Sequence, residues 1–87
     1  MLILYSTWGC HLCEEAELLL RQTGAEFRVI DIVDDPHAFA LYRTSIPVVV
    51  SVKVATDVSA APQLFWPFDQ YRLAAFLDDL TLASEGN

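Results

Sequence analysis

The chain opens on an unbroken apolar run, Leu2-Ile3-Leu4-Tyr5, closed by Ser6 and Thr7. Apolar residues in succession, without alternation, predict a strand covered on both faces, as in the middle of a sheet. From His11 the spacing turns helical. Leu12, Ala16, Leu19 and Leu20 fall on one face, Glu14, Glu15 and Arg21 on the other, and Gly24 after Thr23 supplies a left-handed stop. Glu26-Phe27-Arg28-Val29-Ile30-Asp31-Ile32 alternates and is rich in β-branched residues, which predicts a second strand. Strand, helix and strand in such a short stretch form a βαβ unit, so the two strands run parallel.

Asp34-Asp35-Pro36 starts a short second helix, with Asp35 as cap and Pro36 at the first helical position. It runs through Ala38, Phe39, Leu41 and Tyr42 and ends near Arg43-Thr44. Ser45-Ile46-Pro47 then opens a third strand, Val48-Val49-Val50, because proline is tolerated at a strand's first residue and not in its middle. Val52 and Val54 would prolong that strand, and Asp57 to Pro62 reads as a connecting loop. Gln63-Leu64-Phe65-Trp66 predicts a short edge strand stopped by Pro67. Asp69 caps a last helix whose apolar face is Leu73, Phe76, Leu77 and Leu80. Asp78 and Asp79 sit toward its C-terminus, where the helix dipole disfavours them, so the helix is expected to fray there. The order is β-α-β-α-β-β-α, in one domain over residues 1–82 with a polar tail at 83–87.

Composition narrows the functional classes. Eighty-seven residues, 54% of them hydrophobic, suffice for one core and no second domain. Twelve acidic residues against five basic ones give a formal charge of −7. That argues against nucleic acid, which needs a lysine or arginine stripe, and against a basic membrane-surface helix. No stretch reaches transmembrane length, and Met1 to Tyr5 lacks the basic start and long apolar run of a signal peptide. The expected compartment is the cytoplasm and the expected state a monomer. Two cysteines in a cytoplasmic chain point to catalysis or metal binding before a permanent staple.

Both cysteines lie in Ser6-Thr7-Trp8-Gly9-Cys10-His11-Leu12-Cys13, where the first strand gives way to the first helix. A helix start presents free amide hydrogens and the positive end of the dipole, which favour a thiolate, the reactive form of cysteine. The spacing puts Cys10 at the exposed start and Cys13 about one turn in, partly covered. An unperturbed thiol ionises near about 8.5. The helix start lowers that value and His11, if protonated, lowers it further, while Glu14, Glu15 and Glu17 oppose the lowering. A modest depression for Cys10 is expected. The other chemistry open to this pair is metal, but one CxxC gives two ligands where a structural zinc takes four. His11 would have to turn back and His37 lies on another predicted helix, so no metal site is expected.

With a CxxC after the first strand and a proline opening the third, the chain resembles the thioredoxin fold in its minimal glutaredoxin-like form. Cys-x-Leu-Cys at 10–13, together with Trp66-Pro67-Phe68-Asp69 leading into the last helix, is similar to a family of small bacterial glutaredoxin-like proteins (DUF836). The resemblance covers nearly the whole chain. It implies an α/β thioredoxin-like fold, a four-stranded mixed sheet in order 2-1-3-4 flanked by three helices. It also implies a thiol–disulfide oxidoreductase in which Cys10 attacks and Cys13 resolves. Pro47 would be cis and face the CxxC, turning the Ile46 backbone amide and carbonyl toward the substrate. His11 falls in the variable pair that tunes the redox potential. Trp8 would be an exposed platform for the substrate, or else a loop tryptophan packed on the sheet edge.

The implied partner is a disulfide-containing protein or a small thiol. No tightly bound cofactor is implied. Glutathione would be a reductant without its usual binding motif: Cys-His-Leu-Cys replaces Cys-Pro-Tyr-Cys, and Trp66-Pro67-Phe68-Asp69 stands where glutaredoxins carry a Gly-Gly-Asp/Ser segment. Two other classes compete: a non-enzymatic module that binds a partner protein, and a carrier of metal or of a cluster shared between chains. An oxidoreductase requires an accessible Cys10 sulfur, whereas a binding module would bury the pair and expose an apolar patch elsewhere.

Overall fold

In the computed structural model the described residues are 2–52 and 61–85, with side chains through residue 80. Leu2–Ser6 forms β1, and the helical spacing that follows forms α1, His11–Thr23, ended by Gly24 at φ 78° with its amide on the Arg21 carbonyl. Phe27–Asp31 is β2 and Pro36–Tyr42 is α2. Val48–Ser51 is β3, Gln63–Phe65 is β4 and Gln70–Glu85 is α3. The sheet runs β2-β1-β3-β4, with β1 parallel to β2 and antiparallel to β3, and β3 antiparallel to β4. This is the expected four-stranded mixed order.

The pleat of the two central strands explains the layers. Leu2, Leu4 and Val49 point to one face, where Ala16 and Leu20 of α1 and Leu73 of α3 pack on them. Ile3, Tyr5, Val48 and Val50 point to the other, against Ala38 and Tyr42 of α2. Tyr5 and Tyr42 meet ring to ring at 5.2 Å. Both parities of β1 are therefore buried, which is why its sequence does not alternate. Burying each such aliphatic side chain contributes about 1.5–3 kcal/mol. Burial first, and the Asp35 carboxylate second, push the Tyr5 hydroxyl above its ordinary ionisation range.

Several boundaries differ from the expectation. β2 stops at Asp31 instead of continuing through Ile32, because the Asp31 carboxylate accepts from the Val33 amide at 3.1 Å and starts a single 3₁₀ turn, Ile32–Asp34. β3 stops at Ser51 instead of continuing through Val52, and the Ser51 amide donates to the Pro62 carbonyl at 3.0 Å. Val54 and the proposed loop residues 57–60 lie outside the described residues. β4 ends at Phe65, one residue early. The α3 backbone stays helical to Glu85, into the stretch read as a polar tail. On α1 the buried stripe runs Cys13, Ala16, Leu20, which leaves Leu12 on its margin and 44% exposed.

Candidate functional site

Parallel pairing of β1 with β2 sets Ser6 opposite Asp31, so the chain leaves β1 beside the end of β2. It then folds into a tight turn, Thr7-Trp8-Gly9-Cys10, closed by the Cys10 amide on the Thr7 carbonyl at 3.3 Å. Gly9 takes the third position with φ 80°, the left-handed value a type II turn needs there. A Cβ at Gly9 would meet nothing within 4 Å, so the requirement for glycine is conformational and not steric.

The turn delivers Cys10 to the start of α1 in extended conformation, φ −87° and ψ 110°. There it is the helix cap. Its sulfur accepts from the Cys13 amide at 3.2 Å, the place usually taken by a serine or aspartate oxygen. The Cys10 and Cys13 sulfurs are joined as a disulfide, with Cα atoms 5.2 Å apart. Cys10 is half-buried, whereas Cys13 is 4% exposed beneath it. The pair is thus asymmetric in exposure, Cys10 the more open of the two.

Beside the pair lies an open cleft of about 520 Å³, walled by Trp8, Cys10 and Cys13 on one side and by Val29, Asp31 and Asp34 on the other. Asp31 organises it. Its Oδ1 accepts from the Thr7 hydroxyl at 3.1 Å and from the Val33 amide, and its Oδ2 accepts from the Trp8 amide at 3.3 Å. Hydrogen bonds from Val33, then from Thr7 and Trp8, hold this carboxyl below its ordinary range despite partial desolvation. One side chain thereby ties the turn before Cys10 to the end of β2. Neither Asp31 nor Thr7 was singled out from the sequence. The available signal was an aspartate ending the strand parallel to the one that feeds the cysteines.

The remaining expected site residues distribute unevenly. Trp8 is 92% exposed on the lip of the cleft and so is not the packed loop residue that was the other expectation. The His11 side chain is 86% exposed, with Nδ1 3.6 Å from the Glu14 carboxylate, and does not wall the cleft. The Ile46–Pro47 bond is cis. Since Tyr5 pairs with Val48, Pro47 falls beside Ser6 at the same end of the sheet as the turn, on the flank away from β2. Neither Ile46 nor Pro47 walls the cleft. The Ile46 amide donates to the Tyr42 carbonyl at 3.1 Å, so the expectation that it faces a substrate is corrected: the last turn of α2 has taken it. Pro47 is fully buried, and its carbonyl accepts from the Trp66 amide at 3.2 Å, joining β3 to β4. Phe68 is buried and meets Trp66 edge to face at 5.0 Å, as core rather than site. His37 is exposed on α2.

Among the described residues no group of three or more His, Cys, Asp or Glu side chains is arranged to hold a metal ion. Among them, too, no helix is long and apolar enough to cross a membrane.

The model of the glutaredoxin-like domain (DUF836) matches residues 1–78. The chain is similar to the X-ray structure of target protein XcR50 from X. campestris, at 34% identity over 91% of this chain and 97% of that one, with a TM-score of 0.75. It is also similar to the solution structure of protein Ne2328 from Nitrosomonas europaea, at 31% identity over 86% and 87% of the two chains, TM-score 0.60. Thioredoxin 1 from Thermosipho africanus shares the fold, at 13% identity, 97% coverage of both chains and a TM-score of 0.62. No curated protein matches the chain.

Proposed function

Because this chain belongs to the glutaredoxin-like domain family (DUF836), we propose that it carries out thiol–disulfide exchange through Cys10 and Cys13. The observation that carries the reading is the asymmetric pair at the start of α1, an accessible Cys10 over a buried Cys13. In the reduced protein the Cys10 thiolate attacks one sulfur of a substrate disulfide. That bond breaks, the second substrate sulfur leaves as a thiolate, and a mixed disulfide forms. Cys13, its proton lost to solvent, then attacks the Cys10 sulfur and releases the first substrate sulfur as a thiolate. Two electrons have passed to the substrate, and the protein ends as the Cys10–Cys13 disulfide. A substrate dithiol drives the same steps backwards.

Residues around the pair supply what the chemistry needs. The Cys13 amide that meets the Cys10 sulfur at 3.2 Å stabilises charge there, more strongly on a thiolate than on a disulfide sulfur. Burial of Cys13 confines the first attack to Cys10 and keeps the resolving sulfur one helical turn away. The family resemblance extends the role of substrate contact to Trp8 and to the Ile46–Pro47 corner, with the Ile46 carbonyl as its backbone group.

The test is equilibration with defined glutathione ratios, followed by trapping of free thiols. A reversible two-electron transition between about −270 and −180 mV, the span of thioredoxin, glutaredoxins and disulfide isomerase, is expected. A pair that never opens, or opens only far outside that window, would remove the exchange reading and leave a non-enzymatic binding module.

A further inference from the structure

Resting on that exchange reading, we propose that the face around Cys10 docks a protein segment in which the reactive disulfide is flanked by basic residues and one apolar residue. Two independent features of the surface carry this. The first is charge. Glu14, Glu17, Asp31 and Asp34 all wall the cleft beside the pair, and among the described residues lining it there is no lysine or arginine. Glu17 is offset by Arg21 at 2.7 Å, one turn further along the same face of α1, but Arg21 is not a wall of the cleft. Asp34 is exposed, and Glu14 is paired with the exposed His11 at 3.6 Å. A cation approaching Cys10 therefore meets an attractive field, and an anion a repulsive one.

The second feature is apolar. Trp8 is 92% exposed directly before Gly9-Cys10, and Leu12, between the cysteines, is 44% exposed. The described residues leave this tryptophan uncovered, and it lines the cleft beside Cys10. An apolar side chain next to the substrate cysteine would cover it. Neither feature suits glutathione, an anionic tripeptide without an apolar side chain. A second copy is disfavoured as well, since it brings a formal charge of −7 and the same carboxylates.

The experiment uses the full reduced protein and short synthetic peptides of one length, each with one internal disulfide. Flanking positions carry arginine, glutamine or glutamate, and the residue next to the attacked cysteine is leucine or serine. Oxidised glutathione is a fourth probe. Exchange is followed by stopped flow. At about 10 mM ionic strength the arginine peptide is expected to react roughly tenfold faster than the glutamate peptide, and the ratio to fall toward one at about 1 M salt. In the Glu14→Gln/Asp34→Asn double variant the ratio narrows to about threefold. Taking the ratio cancels any change these substitutions make to Cys10 itself.

Trp8→Ala is expected to erase the advantage of leucine over serine, about threefold in the wild-type protein. Arginine and glutamate peptides reacting at one rate at low salt would overturn the proposal. Glutathione matching the arginine peptide would do so as well, as would a reduced protein that sediments as a dimer with Trp8 shielded. The glutamine peptide separates the two levels. If it exchanges while the charged peptides do not differ, the docking inference alone falls; if no peptide exchanges, the exchange reading falls and the inference with it.

Discussion

The helical starts of this molecule are built in two ways. The 3₁₀ turn, α2 and α3 each begin on an aspartate: Asp31 takes the Val33 amide, Asp35 the His37 and Ala38 amides at 3.1 Å, and Asp69 the Arg72 amide at 2.8 Å. α1 begins instead on Cys10, whose sulfur takes the Cys13 amide. A carboxylate cap is a fixed acceptor, the same whatever reaches it. A sulfur cap changes with its chemistry, being a weak acceptor in a disulfide and a charged one as a thiolate. Where the helix start lies away from the dithiol, at α2 and α3, the chain uses oxygen. At α1, on the proposed exchange reading, the capping atom would also be the reacting atom.

The strongest break of this comparison is at Cys10 itself. Cys10→Ser keeps a capping oxygen and is expected to lose all exchange above background. Its thermal stability should stay within about 0.5 kcal/mol of the reduced wild-type protein. Cys10→Ala loses exchange equally and about 1 kcal/mol besides, read by denaturant titration. If serine and alanine destabilise alike, the sulfur is not a cap.

A smaller effect is expected at the carboxylate caps. Asp35→Ala frees two amides and should cost about 1–2 kcal/mol, or roughly 4–16 °C in Tm for a domain of this size. Asp69→Ala should fall at the lower end of that range. Both losses should be identical in oxidised and reduced protein, because neither cap touches the sulfurs. A loss at Asp35 that depended on redox state would erase the distinction drawn above.

The smallest and most diagnostic effect concerns Asp31, which belongs to both groups. It caps the 3₁₀ turn and also clamps the turn before Cys10. Its carboxyl sits below the ordinary range, chiefly through the Val33 amide, so the folded state binds its proton less readily than the unfolded chain. The resulting stability is complete above the ordinary carboxylate range and is lost as pH falls through the depressed native value. Asp31→Asn should therefore flatten the acid limb of the stability profile. An amide offers one acceptor oxygen where Asp31 uses two, so the Trp8 amide loses its partner and the Cys10 alkylation rate should change as well. An alkylation rate indistinguishable from wild type would reduce Asp31 to a cap like the other two.

Much of this was legible from residues alone. Asp35-Pro36 and Asp69 were readable as helix starts because capping is local: the side chain and the amides it meets are two or three positions apart. Gly24 was readable for the same reason. Leu12 misled because its spacing to Ala16 and Leu19 fits a helical face as well as that of Cys13, and only the direction of the sheet says which flank is buried. The Ile46 amide misled because its partner, the Tyr42 carbonyl, becomes available only where α2 ends against the start of β3.

By itself the sequence determined the order of elements, the parallel first pair, the capped helices and the place of the dithiol at a strand-to-helix junction. Each follows from periodicity or from hydrogen bonds between near neighbours, which the chain encodes locally. Tertiary structure alone decided that Asp31, 21 residues beyond Cys10 in the chain, holds the turn that presents it. It also decided that the cleft opens toward β2, Asp31 and Asp34 rather than toward Pro47. Those depend on which strand lies beside which and in what register. Register is set by packing both faces of β1 at once, a condition that no single stretch of sequence contains.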